Sequence, residues 1–170
     1  MIRKNRGFTL LEALIGFLIL SVGMLGVASL QALSLKAGKT SVYSSVALLR
    51  VEQLFENMRA NPTELVPALG VSAYLAAGVP ADCEGAICST AAMAANDVFL
   101  LEQSLAHGLP DALSTTVAVT IVPEPAPSRM VTVSVTVNWT ERSKADPSGT
   151  VAKNYFTAAT MCSVTQNTAC

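Results

Sequence analysis

The sequence predicts an α+β protein in which one long N-terminal helix precedes a head built on an antiparallel β-sheet. Two observations predict it. An uncharged apolar run from Ala13 to Leu30 continues as a one-faced helical stripe to Met58, and valines alternate with polar residues in the C-terminal third. Hydrophobic residues make up 51% of the 170 positions and charged residues 14%, a balance too apolar for a disordered chain.

The N-terminal segment has the pattern of a membrane-inserted helix. Three basic residues, Arg3, Lys4 and Arg6, precede the apolar run and are expected to stay in the cytoplasm. The run from Ala13 to Leu30 is long enough for about one bilayer crossing. Glu12 is the unusual residue, because a carboxylate at the start of a membrane helix normally requires a partner. The helix N-terminus or a free α-amino group at Phe8 would be such a partner.

Two other kinds of N-terminal segment share part of this pattern. An ordinary secretory signal also has a basic start and an apolar run, and small residues at Gly26-Val27-Ala28 would allow cleavage that leaves Ser29 first. A permanent anchor is the other possibility. An ordinary signal gains nothing from Glu12, and the helical pattern continues well beyond the candidate cleavage site.

The segment Gly7-Phe8-Thr9-Leu10-Leu11-Glu12 resembles the type III signal of type IV pilins and pseudopilins. The resemblance implies a type IV pilin-like fold and cleavage by prepilin peptidase between Gly7 and Phe8. It also implies N-methylation of the new terminal Phe8. Glu12 would then neutralise the terminal amine of an adjoining subunit during assembly, which explains its position.

The helix is expected to change character after the membrane. Its stripe steps by three or four residues along Thr40, Tyr43, Ala47, Val51, Leu54 and Met58, with Leu48 and Phe55 at its flanks. Asn61-Pro62 ends it, because the residue before proline disfavours helical geometry. The predicted division is a leader at 1–7, a transmembrane half at 8–33, an amphipathic half at 34–61 and a periplasmic head at 62–170.

The residues at the end of the helix resemble one group within this family. Met58-Arg59-Ala60-Asn61-Pro62 is similar to a stretch found in the PilV group of minor type IV pilins. That resemblance implies an inner-membrane protein with one membrane pass and a periplasmic head, which later joins the pilus fibre at the cell surface. The implied partners are prepilin peptidase, other minor pilins, the major pilin, the inner-membrane assembly platform and a tip adhesin.

Two alternatives remain for the function. A minor pseudopilin of a type II secretion system shares the signal and the helix. A periplasmic binding module on a simple signal anchor is an alternative of a different class. The first residue of the mature chain distinguishes this module from a pilin.

The four cysteines predict disulfides, since an exported chain enters an oxidising compartment. Local pairing, Cys83 with Cys88 and Cys162 with Cys170, is preferred. Three connectivities are possible, and a cross-pairing such as Cys83 with Cys162 stays open. A zinc site that uses His107 is a further alternative, which the exported setting disfavours.

The head is predicted to begin with a loop that contains a short helical turn before Pro80, followed by one helix and three strands. Residues 90–107 form the helix, with Ala94, Val98, Leu101 and Leu105 on one face and Asp97 given no special role. Strands are predicted at 117–121, 131–140 and 151–161. Alternation in the first two gives one apolar face, which should lie on the stripe of the long helix, with Trp139 in the core.

Recognisable enzyme chemistry is absent from the sequence. His107 is the only histidine, and neither a nucleophile elbow nor a phosphate-binding glycine loop is present. No basic stripe follows residue 6, so direct nucleic-acid binding is not expected. The sequence therefore predicts a structural protein that needs no cofactor or catalytic metal.

Overall fold

The structure is a computed structural model that describes residues 9–66, 70–83, 85–125, 128–143 and 146–164. Its element order is α1 (Leu10–Ala60), a 3₁₀ helix (Ala73–Leu75), α2 (Thr90–Gly108), β1 (Thr116–Pro123), β2 (Met130–Arg142) and β3 (Thr150–Cys162). The chain divides into two compact units, Met1–Val42 and Tyr43–Cys170. The α+β fold predicted from the sequence is confirmed.

The first unit contains the N-terminal part of α1. Every residue from Leu10 to Lys39 is exposed, although most of the side chains up to Leu35 are apolar. The two serine hydroxyls of the apolar run donate hydrogen bonds within the helix, Ser21 to the Phe17 carbonyl at 2.7 Å and Ser29 to the Leu25 carbonyl at 2.9 Å. These bonds satisfy the only hydroxyl donors of the run, as a lipid environment requires.

The second unit is organised around the C-terminal part of α1. The buried residues of this helix are Ala47, Val51, Leu54, Phe55 and Met58. They follow the predicted stripe, except that Leu48 remains 41% exposed. One helical face is therefore buried in the second unit, and Asn61 follows directly at the end of the helix.

The second helix, α2, begins where the sequence predicts it. The Ser89 hydroxyl accepts a hydrogen bond from the Ala92 N–H at 3.2 Å and so caps the first turn. Its buried face consists of Ala94, Val98, Leu101 and Leu105, the four residues predicted to share it. The helix ends at Gly108, one residue beyond the predicted bound.

The three strands form one antiparallel sheet in the order β1-β2-β3. Each strand extends the predicted range by one or two residues at its ends. The pairing of β2 with β3 runs without a bulge over the whole length, from Met130 opposite Cys162 to Arg142 opposite Thr150. The central strand is thus paired on both sides, while β1 and β3 are edges.

The two faces of the sheet differ in composition. The buried side chains of β2 are Val131, Val133, Val135, Val137 and Trp139, and they belong to the same hydrophobic cluster as the buried faces of α1 and α2. This confirms that the valine face packs with the helical stripe. The outer face carries threonine, serine, alanine and asparagine, with Phe156 62% exposed among them.

Candidate functional site

The start of α1 is a capped helix terminus that contains the predicted assembly residue. Thr9 precedes the helix, and its hydroxyl accepts a hydrogen bond from the Glu12 N–H at 3.3 Å. A threonine followed three residues later by glutamate is the spacing of a capping box. Glu12 lies in the first turn, where its carboxylate meets the positive end of the helix dipole. Gly7 and Phe8, the predicted cleavage and methylation residues, lie outside the described residues.

The helix that follows Glu12 meets the physical requirements for a membrane span. Within the described residues, α1 is the one helix long and apolar enough to cross a bilayer, judged by length and composition. Glu12 is exposed at its start and remains the only acidic residue before Glu52. The N-terminal unit therefore presents a long apolar surface with a single carboxylate at one end.

The opposite end of α1 carries a polar cluster that sequence reasoning did not anticipate. Asn61 is only 4% exposed, and its side-chain amide donates to the Thr90 carbonyl at 2.9 Å. Glu64 is 5% exposed and accepts hydrogen bonds from the Ala73 N–H at 2.9 Å and the Thr90 hydroxyl at 3.4 Å. These contacts join the end of α1 to the start of α2 and to the 3₁₀ helix.

Asp97 belongs to the neighbouring part of the same cluster. Its carboxylate accepts hydrogen bonds from the Asn57 amide at 2.9 Å and from the Tyr74 hydroxyl at 3.3 Å. No special role was predicted for Asp97, but the structure shows that it links α1, α2 and the 3₁₀ helix. Its partners lie 40 and 23 residues away in sequence, so no local pattern reveals the contacts.

Burial controls the ionisation of this cluster. It raises the pKa of the Asp97 carboxyl, although the hydrogen bonds from Tyr74 and Asn57 act in the opposite direction. Burial also raises the pKa of the Tyr74 hydroxyl, and the nearby Asp97 charge adds to the effect. The phenol therefore keeps its proton and serves Asp97 as a donor.

The Met58–Pro62 stretch thus combines several structural roles. Met58 is fully buried in the core, and Asn61 bonds to α2. Arg59 is exposed and forms an ion pair with Glu56 one turn earlier. The Pro62 carbonyl accepts a hydrogen bond from the Val164 N–H at 3.3 Å, near the end of the chain.

The disulfide between described residues agrees with the predicted local pairing of the cysteines. Cys83 and Cys88 are bonded, with their Cα atoms 5.4 Å apart. The pairing of Cys83 with Cys162 and a metal site built on Cys83 or Cys88 are thereby excluded. Cys162 is also disulfide-bonded. Its predicted partner, Cys170, lies outside the described residues, so that pairing stays a prediction.

The rest of the described chain offers no group suited to metal chemistry. Among those residues, no cluster of three or more histidine, cysteine, aspartate or glutamate side chains has the geometry to hold an ion. His107 lies in the last turn of α2, beside Arg50, Gln53 and Ser104 in a groove between α1 and α2.

Comparison with known proteins is informative for the N-terminus. A family model described as the prokaryotic N-terminal methylation motif matches residues 2–28. No curated protein and no solved structure matches the chain. The matched residues include the first part of α1, whose length and composition would allow it to cross a bilayer.

Proposed function

We propose that the chain is a minor type IV pilin of the PilV group, which takes part in initiating pilus assembly within a tip complex. The observation that carries the proposal is the methylation motif at residues 2–28, which runs directly into an uncharged helical span. The similarity of Met58–Pro62 to the PilV group supports the finer assignment. Asn61 of that stretch is buried, so the fold itself gives a reason for an asparagine at this position.

Processing is the first step of the proposed function. Prepilin peptidase cleaves between Gly7 and Phe8 on the cytoplasmic side and thereby removes the basic leader at 1–7. The new terminal Phe8 is N-methylated. The remaining chain stays in the bacterial inner membrane by residues 8–33, with residues 34–61 and the head at 62–170 in the periplasm, until it enters the fibre.

Assembly then depends on the apolar surface and on Glu12. Helix packing among neighbouring subunits buries the side chains that are exposed from Leu10 to Leu35. In this low-dielectric bundle, the Glu12 carboxylate pairs with the terminal amine of an adjoining subunit. The proposed partners are prepilin peptidase, other minor pilins, the major pilin, the inner-membrane assembly platform and a tip adhesin.

Mass spectrometry of the mature N-terminus tests the proposal most directly. We expect methylphenylalanine at Phe8. A chain that begins at Ser29 would instead support a binding module released by an ordinary signal peptidase, and an uncut chain would support a permanent anchor.

Replacement of Gly7 by a bulky residue tests the link between processing and assembly. Gly7→Leu should block cleavage and reduce the number of pili, measured by immunoblot and electron microscopy. The matched change Asn5→Leu, inside the leader but away from the cleavage bond, should leave both unchanged. Normal maturation and normal pili in the Gly7 variant would contradict the proposal.

The minor pseudopilin is the alternative within the same class. It shares the motif and the span, so the gene neighbourhood and the phenotype separate the two. Loss of secretion with intact pili in a deletion strain would favour the pseudopilin.

A further inference from the structure

The open edge of β3 has the features of a strand-addition site. Because the sheet order is β1-β2-β3, the described elements place no strand beyond β3. The other edge strand, β1, is contacted by the 3₁₀ helix. Among the described elements, the two edges of the sheet therefore differ, and β3 is the edge for which no such contact with the 3₁₀ helix is found.

Hydrogen bonds at the strand ends show which backbone groups face this edge. The Ser163 N–H donates to the Arg129 carbonyl and the Ser143 N–H to the Gly149 carbonyl, both at 2.9 Å, so odd-numbered residues join β2 to β3. Neighbouring residues of a strand direct their backbone groups to opposite sides. Residues 152, 154, 156, 158 and 160 consequently direct N–H and C=O groups away from β2.

Beyond Lys153, the composition of β3 lacks the usual protection of an edge strand. Natural edges are short, charged, bulged or interrupted by proline, which prevents unwanted pairing. By contrast, β3 spans Thr150–Cys162 and pairs with β2 without a bulge. The stretch from Asn154 to Cys162 contains no charged residue, proline or glycine.

Side chains along this edge indicate the chemistry of the partner. Phe156 is 62% exposed on the outer face, where an added strand would cover it through cross-strand contacts. Lys153 is the only charged residue of β3, and it faces the inner side near the start of the strand. An antiparallel partner places its C-terminal end there, so a carboxylate at that end would complement Lys153.

We propose that β3 binds an extended segment of another polypeptide as a fourth, antiparallel strand. The segment is uncharged along Asn154–Cys162 and carries a carboxylate near Lys153. The proposal rests on the sheet geometry and is independent of the function proposed above. Main-chain hydrogen bonds supply the affinity, and alternate side chains supply the specificity.

A peptide that copies Val131–Glu141 of β2 is a suitable probe. Native β2 pairs with the opposite edge of β3 and alternates valine with polar residues. The same register on the outer edge would place the glutamate of the peptide diagonal to Lys153. Binding of the fluorescently labelled peptide to the full chain in detergent micelles is measured by anisotropy. We expect saturable binding, and absence of binding to the wild-type chain would overturn the proposal.

Two protein variants locate the binding edge. Ala158→Pro removes an outward N–H and leaves the hydrogen bonds to β2 in place, so it should weaken peptide binding at least about tenfold. Ala158→Thr keeps the N–H on the same face and should bind like the wild type. Equal binding by a folded Ala158→Pro chain would overturn the proposal.

Changes in the peptide provide a test that does not depend on folding of the variants. Ser134→Pro in the peptide should abolish binding, because the N–H of this residue would face β3. Glu141→Lys in the peptide should weaken binding by about two- to fivefold at low salt. Concentration-dependent dimers of the wild-type chain that are lost in Ala158→Pro would assign the edge to a second copy and overturn the proposed partner.

Discussion

Two carboxylates, one at the start of α1 and one on α2, show how position gives an acidic residue its role. Glu12 is exposed in the first turn of the helix and is available to another subunit. Asp97 is half-buried, and its hydrogen-bonding partners, Asn57 of α1 and Tyr74 of the 3₁₀ helix, lie within the second unit. The first is suited to assembly between chains and the second to stability within one chain.

Removal of the Glu12 charge should separate processing from assembly. We expect Glu12→Ala and Glu12→Gln to be cleaved normally but to enter pili poorly, since each leaves a neighbour's amine unpaired in an apolar bundle. Quantitative immunoblots of membrane and sheared-pilus fractions measure both steps. As a control, Glu52→Ala alters an exposed carboxylate farther along the same helix. Normal incorporation of both Glu12 variants would remove the charge-pair argument.

Loss of Asp97 should destabilise the head. Asp97→Ala leaves the Asn57 amide and the Tyr74 hydroxyl without their acceptor, which should lower the free energy of unfolding by about 1–3 kcal/mol at pH 7. This free energy is measured by urea unfolding in micelles, with the fluorescence of Trp139, the single and buried tryptophan, as the signal. Glu56→Ala, which removes an exposed carboxylate, should change stability by less than about 0.5 kcal/mol.

The contribution of Asp97 to the free energy of unfolding should change with pH in a defined direction. Burial raises the Asp97 pKa in the folded state, so the folded chain binds a proton more readily than the unfolded chain. The contribution of Asp97 to the free energy of unfolding therefore falls as the pH rises from about 4 through the raised pKa. Urea unfolding between pH 4 and 7 should show this decline in the wild type relative to Asp97→Ala. A difference that does not change with pH would contradict it.

At the scale of elements, regular patterns predicted well and irregular segments did not. Alternation in residues 131–140 predicted β2 to within two residues, because one buried face imposes a period of two. A short helical turn was predicted before Pro80 and is present as the 3₁₀ helix, but its contacts were not predicted, because they depend on packing between distant segments. One signal was present, since Asn61 continues the stripe of Leu54 and Met58 and a polar residue on a buried face needs a partner.

Gly78, in the loop before α2, packs so closely against the backbone of α2 that no side chain fits there. A Cβ added at Gly78 would lie 2.1 Å from the Phe99 backbone nitrogen, a clash that only a shift of the loop could relieve. Gly78→Ala should therefore lower the free energy of unfolding by about 1–3 kcal/mol, measured by the same urea assay. Gly38→Ala meets no atom within 4 Å and should leave head stability unchanged. Equal effects of the two changes would refute the packing argument.

At the scale of the whole chain, the fold separates an apolar N-terminal unit from a head that needs part of the same helix. The second unit begins at Tyr43 and includes the buried face of α1. A fragment from Tyr43 to Cys170, exported to the periplasm, should fold and unfold cooperatively. A fragment that starts at Pro62 lacks Val51, Leu54 and Phe55 and should not fold. Near-ultraviolet circular dichroism distinguishes the outcomes, and a folded Pro62 fragment would contradict this role for α1.

The hydrogen bond between the Pro62 carbonyl and the Val164 N–H has a mechanical consequence. The described head leaves the end of α1 at Pro62 and returns to it at Val164, so its entry and exit points coincide. Tension carried along α1 would then bypass the sheet instead of pulling its strands apart.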